Sequence, residues 1–195
     1  NSSNLQPWEF YWVKDRTKRN ELGKACFSQT AAATAAEIVV CVARTDTWKT
    51  HAVEMVELFE KSGDAPALAL KYYRKIVPLV YSQGFMGILG FLKRILFAVR
   101  GVSTPTPREP VSKAQLRLWA VKTTALGAEN LMLSLRACGF DSCAMEGYDS
   151  LRVRRILELP RNATVVMAVA AGKRAKGGIY GPRIRFDPSR FIKVV

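Results

Sequence analysis

Arg183 and Arg185, in the stretch P-R-I-R, stand one residue apart and so point to the same side of an extended segment. From there both guanidinium groups can address one phosphate through charge-assisted hydrogen bonds. The same residues also read as a solvated basic tail. Upstream, Met145-Glu146-Gly147 marks a turn after a short extended piece, and Glu146 there can equally be an ordinary surface carboxylate. The opening N-S-S-N, Asn1 to Asn4, consists of turn formers. Acid–base and metal chemistry have little to draw on. His51 is the only histidine, which leaves a Ser-His-Asp triad one possible base and excludes nearly all His-rich metal sites. Cys26, Cys41, Cys138 and Cys143 form no C-x-x-C, so free thiols in a reducing compartment are expected, with no metal. On residue types alone, the chemistry reaches a phosphate site and stops.

The element that must position these groups is a long helix running up to Cys138. Ser112 three residues ahead of Gln115 is a capping-box signature, with Val111 and Leu116 placed as a hydrophobic staple. Cys138-Gly139-Phe140 supplies a glycine for a left-handed C-terminal residue and an apolar residue beyond it, a Schellman ending. Between the caps lie about 26 residues, or about 39 Å at about 1.5 Å per residue. Leu116, Trp119, Ala120, Thr123, Gly127, Asn130, Leu131 and Ser134 recur at three and four spacing and define the expected buried face, whose small residues permit close packing.

Trp8 to Val13 reads as a strand whose aromatics are expected in the core, and Glu37 to Ala43 as a second. Asp15 to Phe27, Thr47 to Gly63 and Ser150 to Leu157 read as helices. Thr164 to Gly172 is a continuous apolar run suited to a strand covered on both faces. F-I-K-V-V at the end can add an edge strand. Residues 76–92 carry no charge, yet Pro78 and three glycines interrupt them and six basic residues lie between Lys71 and Arg100 with no acid among them. That run is marginal as a membrane span but has the composition of an interfacial segment. Pro105, Pro107 and Pro110 form a stiff linker into the capped helix.

With 195 residues and 49% hydrophobic content, one core and hence one domain, 1–195, suffices. The net charge of +14 suits anionic partners, but the basic residues are scattered and no nucleic-acid motif accompanies them, so specific nucleic-acid binding is not expected.

The stretch E-N-L-M-L-S-L-R-A-C-G-F-D-S-C-A-M-E-G-Y-D, followed by V-R-R-I-L-E-L-P, resembles the central helix and flavin-facing turn of the FMN-dependent nitroreductase family. N-S-S-N-L-Q-P-W-E-F resembles that family's opening loop, and P-R-I-R its basic phosphate ligands. The resemblance implies an α+β, three-layer fold with a mixed, mostly antiparallel sheet, and a homodimer with FMN at the subunit interface. It implies a cytoplasmic oxidoreductase carrying electrons in ping-pong order from NADH or NADPH to a nitroaromatic or quinone acceptor. A binding module without turnover, or a membrane-surface protein retaining the fold, is the alternative. The site residues so implied are Asn1, Ser2, Asn4, Gln6, Gln29, Met145, Glu146, Gly147, Arg183 and Arg185. Within that set the backbone N–H of Glu146 faces flavin N5, Gly147 lets the ring approach, and Gln29 either lies near the flavin or simply ends a helix. An N-terminal R-x-S-x-R element is expected ahead of Asn1. Residues 64–110 are the expected lid, in which residues 72–100 either lie buried against the dimer or make peripheral membrane contact, and the C-terminal tail is expected to cross to the partner subunit.

Overall fold

Residues 3–179 and 181–195 are described by a computed structural model; Asn1 and Ser2 of the expected site lie outside them. In chain order the elements are β1 (Trp8–Trp12), α1 (Arg16–Ala25), α2 (Thr30–Thr34), β2 (Glu37–Arg44), α3 (Trp48–Lys61), α4 (Ala67–Lys71), a π-helical turn (Tyr72–Ile76) and α5 (Val77–Tyr81). A 3-10 turn (Phe85–Gly87), α6 (Ile88–Arg100), α7 (Lys113–Ala137), β3 (Asp141–Met145), α8 (Ser150–Ile156) and β4 (Ala163–Gly172) follow. The strands form one sheet in the order β1-β2-β4-β3, every neighbouring pair antiparallel. The mixed, mostly antiparallel sheet that the resemblance implies is wholly antiparallel among the described residues. The terminal Phe191–Val195 stays exposed outside it and adds no edge strand.

Alternation along the central strands makes the three layers. Ile38, Val40 and Val42 of β2 point into one core with Leu22 and Ala25 of α1, Ala32 of α2 and Val153 of α8. Cys41 and, on β4, Met167 and Val169 point the other way onto Ala128 of α7. Both faces of β4 are thus covered, which is why its sequence is apolar without a break.

Both caps of α7 form as their residues dictate. Ser112 Oγ accepts from Gln115 N at 3.2 Å, and Gln115 Oε1 reaches back to the N–H of Val111 at 2.7 Å. At the other end Gly139 takes φ +82°, its N–H donates to Arg136 O, and that of Phe140 donates to Leu135 O, completing the Schellman pair. The buried stripe differs from the expected one. It runs through Leu116, Ala120, Thr124 and Ala128, with Met132 and Leu135 packed beyond, while Asn130 and Ser134 are exposed. Steps of four residues advance about 40° around the helix each time, so the contact line winds as α7 crosses the sheet. Gly127 does serve close packing: a Cβ there would lie 3.2 Å from Phe10 Cζ.

The aromatics of β1 depart from expectation. As an edge strand it leaves Phe10 39% and Trp12 57% exposed. Residues 64–110, the expected lid, divide in two. Tyr73, Val77 and Tyr81 pack with Leu5, Trp48 and Leu116 in a core of their own. Beyond Gly84 (φ +71°) the chain bends by 70° and α6 runs outward, held mainly by Gly90, Lys93 and Phe97. Lys93, counted among the flanking surface cations in the sequence, is instead 3% exposed, its Nζ donating to the carbonyls of Leu79, Val80 and Ser82.

Candidate functional site

At the end of β3 the chain leaves the sheet edge through a turn that two long-range hydrogen bonds fix in place. Met145 is 2% exposed and anchors the turn in the core. Gln29 Nε2 donates to Gly147 O at 2.7 Å, and Asp149 N donates to Ala25 O at 2.8 Å. Asp149 then caps α8, accepting from the N–H groups of Leu151 and Arg152. Between these fastenings, the N–H groups of Glu146 and Gly147 donate no hydrogen bond among the described residues and stand at an exposed surface. Gly147 has no left-handed φ; what it contributes is space, since a Cβ would sit 3.3 Å from Gln29 Nε2. Phe27 and Ser28, both at left-handed φ (55° and 49°), carry the chain from α1 to Gln29 and leave the Phe27 ring 70% exposed beside the turn.

A second loop, Ser3 to Gln6, feeds β1. Three tyrosines hold it from below: Tyr72 Oη donates to Ser3 Oγ (3.0 Å), Tyr73 Oη to Ser3 O (3.3 Å), and Tyr81 Oη lies 2.6 Å from Ser3 Oγ. The π-helical turn presents the neighbours Tyr72 and Tyr73 to the same residue. His51 Nδ1 lies 2.7 Å from Leu5 O, so the only histidine fastens this loop. Asn4 and Gln6 are left outside at φ 46° and 44°, bonded to each other through Gln6 Nε2 and Asn4 Oδ1. Left-handed backbone costs a side-chain-bearing residue about 1–2 kcal/mol. Four of the six non-glycine residues at positive φ among those described, Asn4, Gln6, Phe27 and Ser28, lie in these two loops. Strain of this kind persists only where the surroundings fix it.

The two loops occupy opposite edges of the sheet. Met145 is level with Tyr11 of β1, three strand spacings or about 14 Å across the sheet, and Trp8, where the first loop enters, lies three residues further along β1. Arg183 and Arg185 are exposed in the C-terminal segment, where Arg185 Nη1 bonds Ile184 O; no hydrogen bond or ion pair among the described residues ties them to either loop. One chain therefore brings together Gln29, Met145, Glu146 and Gly147, separately Asn4 and Gln6, and does not join these to the arginines.

The groups around the turn are chemically quiet. Burial pushes the Tyr148 hydroxyl up to about 12, with the Glu146 charge adding to it, and the hydroxyl donates to Val165 O. Burial likewise raises the Cys26 thiol and pushes Cys41 up to about 12; all four cysteines are free, as expected. No cluster of metal-ligating side chains occurs among the described residues. Sequence reading passed over Phe27, whose signal is an aromatic just past a helix end, and Asp149, whose signal is a cap residue before α8.

Comparison with known proteins identifies the family and the fold. The sequence profile described as the Nitroreductase family matches residues 1–173. Protein DrgA of Synechocystis sp. is 35% identical over 71 residues, 36% of this chain and 33% of that protein. The chain thus matches about a third of that relative's length. The NADH dehydrogenase of Thermus thermophilus is 27% identical over 184 residues, 94% of this chain and 74% of that one. A protein from Exiguobacterium sibiricum solved in complex with FMN shares the fold at TM-score 0.71 and 19% identity, covering all of this chain and 80% of that one.

Proposed function

The chain belongs to the nitroreductase family, and on that premise we propose that it is an FMN-dependent oxidoreductase working as a homodimer. In this reading the turn after β3 of one copy and the Ser3–Gln6 loop of the other hold one flavin between them. The observation that carries the reading is the Gln29–Gly147 hydrogen bond, which joins segments 118 residues apart and leaves two backbone donors unspent beside a bare Cα. Those residues fit a planar ring presenting an acceptor nitrogen. The opposite-edge placement of the two loops supports a site completed by a second copy. So does α7, whose outward side shows Leu118, Leu126 and Leu133 at 51, 62 and 59% exposure, spaced eight and seven residues apart.

When bound, FMN supplies a ring that takes two electrons as hydride from NADH or NADPH and yields them in ping-pong order to an oxidised acceptor, a nitroaromatic or a quinone. The chain's own task is to hold and tune. The N–H of Glu146 would donate to flavin N5, and Gly147 would keep the approach to the ring open. Asn1, Ser2, Asn4 and Gln6 offer polar groups from the partner loop, while Arg183 and Arg185 hold the phosphate. Tyr148 and Cys26, with pKa values raised by burial, stay protonated at neutral pH, and the Tyr148 hydroxyl is spent on Val165 O.

The test is the visible spectrum of the purified protein after incubation with FMN. A bound-flavin band that bleaches anaerobically with NADH or NADPH supports the reading. A colourless protein that cannot be reconstituted overturns it.

A further inference from the structure

Helix α6 is inside out. Setting Ile88 at zero and advancing about 100° per residue, Gly90, Lys93 and Phe97 fall near 200°, 140° and 180°, the side packed on the protein. Ile88, Phe91, Leu92, Ile95 and Val99 cluster around zero on the opposite side, and four of these are more than half exposed. Its one wholly buried charge, Lys93, faces inward onto three carbonyls. Arg94 and Arg100 fall near 240° and 120°, one on each shoulder of the apolar stripe. At the tip, Phe85 and Met86 are 82 and 79% exposed.

From this geometry we propose that α6 is an in-plane anchor to an anionic lipid surface, a property beyond the flavin chemistry above. Charge selects this occupant. Residues 65–108 contain seven basic side chains and no acid. Lys93 is buried, Arg74 pairs with Glu60, and Arg108 bonds Phe97 O and Gly101 O. Lys71, Lys75, Arg94 and Arg100 make no ion pair among the described residues. Two copies of α6 facing each other would bring the cations of both to one interface with no acid in either helix to pair them, whereas a lipid surface offers acyl chains to the stripe and phosphates to its shoulders. The helix lies in the surface and does not cross it: its 13 residues reach about 20 Å, and no single described helix is long and apolar enough to span.

The experiment is co-sedimentation of the full chain with vesicles of equal phosphatidylglycerol and phosphatidylcholine, and with phosphatidylcholine alone. Binding is expected to the anionic vesicles and to weaken between about 0.02 M and about 1 M salt. Arg94→Gln with Arg100→Gln should lower it about twenty-five-fold, about five-fold for each charge. Phe91→Ser with Ile95→Ser should abolish it while the circular dichroism and flavin content stay unchanged. Failure of wild-type protein to bind the anionic vesicles at low salt overturns the proposal. So does a fall in the lipid-free sedimentation coefficient of the Phe91→Ser/Ile95→Ser variant, which would show a second copy covering the stripe. Flavin content reads the function proposal separately, so the two can fail independently.

Discussion

Replacing Lys93 with Met tests whether α6 is held from inside by a buried ammonium group. The three donors of Lys93 Nζ are all used, at 3.2, 2.8 and 2.6 Å to the carbonyls of Leu79, Val80 and Ser82 around the end of α5. Met keeps the unbranched shape and fills the same space, so packing changes little. What is lost is the partner of three carbonyls at a helix end that water reaches only in part. Opposing this is relief of the ammonium's desolvation, which holds the Lys93 pKa below its ordinary 10.5. The net loss is therefore about 1–3 kcal/mol, the penalty for unsatisfied groups, and not the sum of three charge-assisted bonds. In a chain of this size that lowers the Tm by about 3–10 °C. The pH dependence carries the sign. The folded protein binds this proton less tightly than the unfolded chain, so the penalty is complete below the folded pKa and is relieved as pH rises toward 10.5. Urea unfolding at pH 7 and again near pH 10, read by far-ultraviolet circular dichroism, should show the gap between wild type and Lys93→Met widening. Equal stability at pH 7, or a gap that narrows on alkalinisation, would refute the reasoning.

Gly90→Ala would place a Cβ 2.4 Å from Val111 O and 2.5 Å from Gln83 Oε1, so α6 must shift off the linker. A loss of about 1–3 kcal/mol in urea is expected, and an unchanged midpoint would contradict that contact. Gln29→Leu removes an exposed hydrogen bond worth at most about 1 kcal/mol of stability, yet it releases the Gly147 turn. Flavin affinity should drop while the unfolding curve hardly moves, and equal affinity would make Gln29 a helix-end residue only. Arg183→Ala with Arg185→Ala should weaken FMN by about two decades or more, each charge-assisted contact contributing about 1.5–3 kcal/mol. Unchanged affinity in a flavin titration removes both from the site.

Features governed by neighbouring residues were legible in the sequence. The caps of α7 follow from Ser112, Gln115, Gly139 and Phe140 over a few positions, and the buried run of β4 follows from cover on both faces. The boundaries of α1, α3 and α8 agree with the structure for the same reason. Long-range pairing was less accessible. That Gln29 reaches Gly147 depends on how α1 and β3 sit across the sheet, which residue spacing does not encode. Trp12 and Phe10 were misplaced because edge and central strands have the same composition, and neighbours alone decide exposure. Lys93 was misread by counting charges along the chain. Its phase with Gly90 and Phe97 was present in the sequence, but only the fold shows that this phase faces inward.

The claim that one flavin is held by two copies is tested most directly by complementation. Gly147→Val disables the turn and leaves the Ser3–Gln6 loop intact; Asn4→Leu disables the loop and leaves the turn. Each variant alone should bind little FMN. Mixed by unfolding and refolding together, they form random dimers of which about half are hybrid, each with one intact and one doubly altered site, so about a quarter of wild-type FMN binding should return. Binding that stays at the level of the separate variants would contradict a site shared between copies.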